Sequence, residues 1–263
     1  MRETLSEVDL IAAEDTRNSI KLLNHFGIHV PMTSYHEFNK YDKAEELAGI
    51  LMSGKNVALI TDAGTPAVSD PGEVLVKKCR EEGIPVTSLP GPCACITALT
   101  LSGLSTGRFC FEGFLPRDKK ARNEILKELE NEFRTIILYE APHHLTDTLA
   151  DLLEVLGDRR ISLCRELTKK HEEIISTTLK DACTFYENEK PRGEFVLVLE
   201  GRDREAYRRE KASEFEKMTV PEHVKMYEDR GFDRKEAMKA AAADRGVSKR
   251  DIYSELLKES APS

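Results

Sequence analysis

Between residues 8 and 89, short apolar runs alternate with stretches of helical spacing, and this alternation restricts the fold more than any other feature of the chain. Val8-Asp9-Leu10-Ile11-Ala12-Ala13, Val57 to Ile60 and Val86 to Leu89 read as strands. Ser19 to Phe26, Lys43 to Met52 and Glu73 to Glu82 read as helices, the first stopped at Gly27. Strands separated by single helices run parallel, so the pattern predicts a parallel sheet with helices packed on its faces.

Two of these strands run into loops of small residues. Ile60-Thr61-Asp62-Ala63-Gly64-Thr65-Pro66 follows one, and Leu89-Pro90-Gly91-Pro92-Cys93-Ala94 follows the other, just before an apolar helix predicted over Cys93 to Leu104 and expected to be buried. Such loops leave backbone amides free at the carboxyl ends of neighbouring strands, where an open α/β sheet seats a nucleotide-like ligand. Neither carries the GxGxxG spacing or a Gly-Lys-Ser/Thr phosphate loop, which makes NAD and ATP poor candidates. Glu14, Asp15 and Arg17 crowd charge at the end of the first strand, where a catalytic group or an arginine clamp belongs.

After Gly107 the pattern changes. Arg108 to Leu115, Thr135 to Tyr139, Arg160 to Leu167, Glu173 to Leu179 and Gly193 to Glu200 are five candidate strands, with helices over Lys119 to Glu132, His144 to Leu156 and Asp181 to Glu189. This predicts a second α/β domain with a mixed sheet. The expected organisation is therefore an amino-terminal α/β domain over 1–107, a second over 108–201, and a charged linker with a small helical extension over 202–263. Within that extension Val220 to Asp229, Arg234 to Asp244 and Lys249 to Glu259 read as helices, with Asp233 and Ser248 as caps and Gly231 and Gly246 as stops. Arg234 to Leu257 has the length of a helix-turn-helix.

Composition narrows the function classes. The chain has 263 residues and a net charge of -8, so contact with a polyanion must use local basic patches. Arg117, Lys119, Lys120 and Arg122 form one candidate, and Arg165, Lys169, Lys170 and His171 another, both suited to a phosphate backbone. No apolar run reaches the roughly 18 residues of a membrane span and no signal sequence opens the chain, which points to the cytoplasm. The six cysteines lack metal or redox spacing and read as reduced thiols, and His143-His144 has no third ligand nearby, so no metal is assigned.

Read in order, Leu10-Ile11-Ala12-Ala13-Glu14-Asp15-Thr16-Arg17, Thr61 to Pro66, Asp70-Pro71-Gly72, Leu89 to Ala94, Phe111-Glu112-Gly113-Phe114-Leu115-Pro116, Arg165-Glu166-Leu167-Thr168-Lys169 and Gly193-Glu194 resemble the RsmI family. That family belongs to the tetrapyrrole-methylase superfamily and methylates the ribose 2′-hydroxyl of a cytidine in the decoding region of 16S ribosomal RNA. The resemblance implies two α/β domains with S-adenosylmethionine in the cleft between them, a homodimer, and the small ribosomal subunit or its RNA as partner. By position, Asp62, Ala63, Gly64, Thr65, Pro66 and Val68 would line the methionine and ribose, and Cys93 and Ala94 the other side. Tyr139, Leu167 and Phe195 would come from the second domain to enclose the adenine. Glu14, Asp15 and Lys169 are the candidates for base or orienter. Arg17 is the candidate phosphate clamp, with Arg117, Lys119, Lys120 and Arg165 as further RNA contacts. The family pattern opens with a strand and a Thr-Pro-Ile-Gly-Asn loop, and Met1 here falls inside the helix that follows, so a central strand is expected upstream. Rival readings are methylation of a tetrapyrrole or diphthamide precursor, or a metabolite-sensing regulator that binds DNA through the carboxyl-terminal helices.

Overall fold

The computed structural model describes residues 1–215 and 218–259. Helix α1 (Arg2–Glu7) leads into β1 (Leu10–Ala13), followed by α2 (Thr16–His25), β2 (Met32–Ser34), α3 (Lys40–Met52), β3 (Val57–Ile60) and α4 (Gly72–Glu81). The three strands form a parallel sheet in the order β2-β1-β3. Ile11, Ala12 and Ala13 are fully buried because β1 is the middle strand and both of its faces are covered. Alternation along the strand sends Ile11 to Leu23 and Ile28, and Ala12 to Leu47 and Leu75.

Three local expectations change. Strand β2 has no apolar run to announce it; three residues after Pro31 become a strand by pairing with β1. Val86 to Leu89, expected as a strand, forms no ladder among the described residues, and β3 pairs with β1 alone. Extended residues become a strand only when a neighbour takes their hydrogen bonds, and none is adjacent here. The apolar segment after Pro92 forms α5 (Ala94–Leu101), which buries Cys95, Ala98 and Leu99 but leaves Ile96 and Leu101 exposed, so it is covered on one side rather than all round.

The next elements are β4 (Phe109–Phe114), α6 (Lys119–Glu130), β5 (Thr135–Glu140), α7 (Leu145–Leu156), β6 (Arg160–Arg165), β7 (Glu173–Thr178), α8 (Leu179–Asn188) and β8 (Phe195–Leu199). They build a mixed five-stranded sheet in the order β4-β5-β8-β6-β7, in which β4 and β5 run parallel and the remaining pairs antiparallel. One face packs Ile136, Leu138, Ile161, Leu163, Phe195 and Leu197 under helices α6 to α8. The other packs Ile137, Cys164, Val196 and Val198 against α5. Helix α5 therefore carries the Pro90-Gly91-Pro92 loop directly to the second sheet.

Beyond β8 come α9 (Arg204–Glu214), α10 (Val220–Glu228), α11 (Arg234–Arg245) and α12 (Lys249–Glu259). Thr219 and Glu222 form a reciprocal capping box, Asp233 caps α11, and Gly246 ends α11 in the left-handed conformation. Val224, Ala237, Ala241, Ile252 and Leu256 make a separate small core. His223 is buried beside it, with Nε2 at 3.2 Å from the Asp244 carboxylate and Nδ1 accepting from Arg245 Nε at 3.1 Å. Arg245 can only donate, so Nε2 carries the ring proton. Among the described residues no helix is long and apolar enough to cross a membrane.

Candidate functional site

The carboxyl ends of β1 and β3 lie side by side, because Ala13 and Ile60 are partners in the ladder. The Thr61 hydroxyl donates to Glu14 Oε2 at 2.5 Å, and the Asp62 amide approaches the same oxygen at 3.4 Å. Asn18, from the first turns of α2, donates to Asp62 Oδ2 at 3.2 Å. Asp15 caps α2 and receives Arg17 three times, through the backbone amide at 2.8 Å, Nε at 3.1 Å and Nη2 at 2.8 Å. These bonds stabilise the Asp15 carboxylate and lower its pKa to about 2.

The loop after β3 is held from within. The Asp70 carboxylate accepts from the amides of Ala67 at 2.8 Å and Gly72 at 3.0 Å, which bends the chain so that Ala67 and Ser69 both take positive φ. Non-glycine residues in that region cost roughly 1–3 kcal/mol each and persist where surrounding structure imposes them. Tyr35 supplies part of that structure, its buried hydroxyl donating to the Pro71 carbonyl at 2.9 Å and accepting from the Leu75 amide at 3.1 Å. Thr65 Oγ1 donates to the Pro92 carbonyl at 2.9 Å and so joins the two small-residue loops. Gly64 has φ +82, and a Cβ there would stand 3.3 Å from that same carbonyl. Asp62, Ala63, Gly64, Thr65 and Pro66 are thereby brought against Pro92, with Val68 on the same loop and Cys93 and Ala94 immediately after it.

The second sheet reaches this place through Tyr139, whose hydroxyl accepts from the Cys95 amide at 3.1 Å. Phe111 and Phe114 meet the Tyr139 ring edge-on, at centroid separations of 4.9 and 5.6 Å. Burial raises the Tyr139 pKa, so the phenol stays neutral. Leu167 packs with Tyr139 and Cys93 against the cluster around Cys95 and Ala98. The Cys93 and Cys95 sulfurs lie 3.3 Å apart as free thiols.

Phe195 is not gathered with them. Its ring belongs to the opposite face of the sheet, against Tyr186 and Leu197, because strand alternation gives the α5 face to Val196. Arg165 follows the same parity as Ile161 and Leu163, pairs with Glu173 at 3.0 Å, and so points away from α5. Lys169 lies between Glu166 at 3.0 Å and Glu194 at 2.7 Å. Both carboxylates raise its pKa, and a lysine held protonated is a cation rather than a base. Glu166 and Thr168 take positive φ around it, and a Cβ on Gly193 would collide with the Glu166 side chain at 2.4 Å. Arg117, Lys119 and Lys120 are exposed beyond the end of β4, in and before the first turn of α6.

Tyr35, Asp70, Glu166 and Glu194 hold these loops in place, and although the last three lie within the motifs of the family resemblance, none stood out in sequence as a site residue. Asp70 stood within the Asp70-Pro71-Gly72 motif, a turn signal, but nothing in Ser34-Tyr35-His36 marks a phenol that must reach Pro71. Among the described residues no group of His, Cys, Asp and Glu has the arrangement of a metal site. Fixed amides, a neutral phenol, an apolar wall at Leu167 and the carboxylates of Glu14 and Asp62 suit a ligand that combines a flat ring, hydroxyls and positive charge.

Comparison with known proteins places this geometry. The family model described as Tetrapyrrole (Corrin/Porphyrin) Methylases matches residues 1–183. The chain is 48% identical over 250 residues to Ribosomal RNA small subunit methyltransferase I of Halalkalibacterium halodurans, covering 95% of this chain and 86% of that one. It is 46% identical over 251 residues to the protein of the same name from Bacillus subtilis, with coverage of 95% and 86%. Among solved structures, diphthine synthase superposes with a TM-score of 0.59 at 15% identity over 76% of this chain and 82% of that one. The methyltransferase CobJ gives 0.56 at 19% over 76% and 85%. At such identities these two speak to the fold alone.

Proposed function

The chain belongs to the tetrapyrrole (corrin/porphyrin) methylase family, and from that premise we propose that it is an S-adenosylmethionine-dependent methyltransferase of small-subunit ribosomal RNA, acting on the ribose 2′-hydroxyl of a cytidine in 16S RNA. The observation that carries the substrate class is the 46–48% identity, across 95% of the chain, to relatives named as methyltransferases of small-subunit ribosomal RNA. The residues present fit the cofactor: Gly64 and its joined neighbours Thr65 and Pro92 leave a cradle next to free amides, while Tyr139 and Leu167 offer a flat apolar wall. The bound cofactor supplies a methyl group on a sulfonium, a centre that the carboxylates of Glu14 and Asp62 complement in charge.

The protein's part is to orient the hydroxyl and receive its proton. Of the three candidates, Lys169 is already protonated, and Asp15 is a weak base with both oxygens occupied by Arg17. Glu14 is held through Oε2 by Thr61, and no hydrogen bond uses its Oε1 among the described residues. Glu14 is therefore the group to align the 2′-hydroxyl and accept its proton as the new bond forms. The exposed Arg17 guanidinium clamps a flanking phosphate, and Arg117, Lys119 and Lys120 extend the contact along the backbone. The protein works in the cytoplasm as a homodimer in this reading.

The test is transfer of labelled methyl from S-adenosylmethionine to small ribosomal subunits from cells that lack this gene. Label at a ribose 2′-oxygen makes the adjoining phosphodiester resistant to alkali, since the attacking hydroxyl is gone. Label on a base would reject the 2′-hydroxyl assignment, and no transfer by folded protein would reject RNA as substrate.

A further inference from the structure

Phe38 is 96% exposed, at the tip of the turn that joins β2 to α3. The turn is rigidly built. Asn39 Oδ1 accepts from the His36 amide at 2.8 Å, its Nδ2 donates to the Ser34 carbonyl at 3.2 Å, and Lys40 pairs with Glu37 at 2.6 Å. The His36 ring meets Phe38 edge-on at 6.1 Å, and its Nδ1 is buried with no hydrogen-bond partner among the described residues. Tyr41, three residues on, is 68% exposed, with the Lys40 ammonium 5.4 Å from its ring. A single exposed aromatic needs no explanation. Two of them held out by a locked turn contribute nothing to the core and present flat surfaces to a partner.

The position of the turn identifies that partner. Ser34 pairs with Ala13 and the Tyr35 amide bonds to the Ala13 carbonyl, so the turn rises from the same sheet edge as Glu14 and Thr61. The nearby cations are paired, Arg17 with Asp15 and Lys40 with Glu37, and the whole chain carries a charge of -8. Beyond the Arg17 contact itself the positive field at this edge is weak, and short-range stacking is the attraction that can hold an unpaired nucleotide. Resting on the RNA-methyltransferase reading above, we propose that Phe38, flanked by His36 and Tyr41, is the platform on which an unpaired base of the substrate RNA stacks beside the methylated nucleotide.

The chain has no tryptophan, so a Phe38→Trp variant carries a single indole reporter. Small-subunit RNA is expected to quench that fluorescence, whereas inorganic polyphosphate at equal charge is not. Phe38→Ala and Phe38→Leu are expected to weaken RNA binding roughly 5- to 150-fold, with S-adenosylmethionine affinity unchanged and Phe38→Trp binding like the parent. Equal RNA affinity for Phe38→Ala and the parent, together with an indole blind to RNA, overturns the platform while the parent's continued methyl transfer leaves the RNA reading intact. A parent dimer that Phe38→Ala dissociates in sedimentation also overturns it, since the surface is then a subunit contact. If the parent protein neither binds nor methylates RNA, the underlying reading fails and the platform with it.

Discussion

Glu14 Oε2 takes the Thr61 hydroxyl at 2.5 Å, joining the carboxyl ends of β1 and β3 through their side chains just beyond the last ladder pair. The bond fixes one carboxylate oxygen and so aims the other. Positioning of this kind removes orientational freedom before the substrate arrives, which is where much of the acceleration of a transfer reaction arises.

Replacing Glu14 by Gln keeps an acceptor for Thr61 but removes the capacity to take a proton. At saturating S-adenosylmethionine, methyl transfer is expected to fall on the order of 10²- to 10⁴-fold, while calorimetry shows the modest loss of cofactor affinity that follows from removing one of the two carboxylates near the sulfonium. A variant that retains the parental kcat would rule Glu14 out as the base.

Gly64→Asp tests the cofactor cradle. At φ +82 a side chain costs roughly 1–2 kcal/mol of backbone strain, which a folded domain tolerates, but the new carboxylate enters beside the Pro92 carbonyl. The expected outcome is a normal far-ultraviolet spectrum with no measurable heat of S-adenosylmethionine binding. A folded variant that binds cofactor as the parent does would move the site elsewhere.

Tyr139→Phe keeps the ring against Phe111 and Phe114 and removes the acceptor from the Cys95 amide. A buried amide without a partner costs about 1–3 kcal/mol. Urea unfolding is expected to show a loss of that size, with weaker cofactor binding because α5 and the Pro92 loop loosen together. An unchanged midpoint means that water replaces the phenol.

The carboxyl-terminal helices should respond to pH through His223. Burial lowers its folded pKa below the ordinary 6.5, outweighing the Asp244 carboxylate that faces it, while Arg245 also disfavours a charged ring. The unfolded chain thus binds the proton more readily, so stability is fully present above pH 6.5 and declines as pH falls through 6.5 toward the folded pKa. Amide protection in α10 and α11, taken relative to the intrinsic exchange rate at each pH, is expected to fall between pH 7.5 and 5.5, and His223→Gln to flatten the response. Parallel profiles for the two proteins would assign the effect to other groups.

Periodicity and turn chemistry marked out β1, β3, the five later strands and most helices, because a strand with one covered face or a capped helix writes itself into local residue order. The charge at Glu14 and the small-residue loop from Thr61 to Gly64 stood out for the same reason: each follows the end of an apolar run. The side of the second sheet that faces α5 was not. Phe195-Val196-Leu197-Val198-Leu199 is apolar at every position, both faces being buried, so only packing decided that Val196 looks toward α5 and Phe195 away from it. Lys169 stood in sequence as a candidate base or orienter, and its holding as a protonated cation came from Glu194, 25 residues away, folding back beside it. Val86 to Leu89 had the composition of a strand, but a ladder is made by two partners, and residue order specifies one of them. Local chemistry thus determined where the chain turns and which residues end its strands, while the faces, pairings and protonation of the site were settled by contacts between residues distant in sequence.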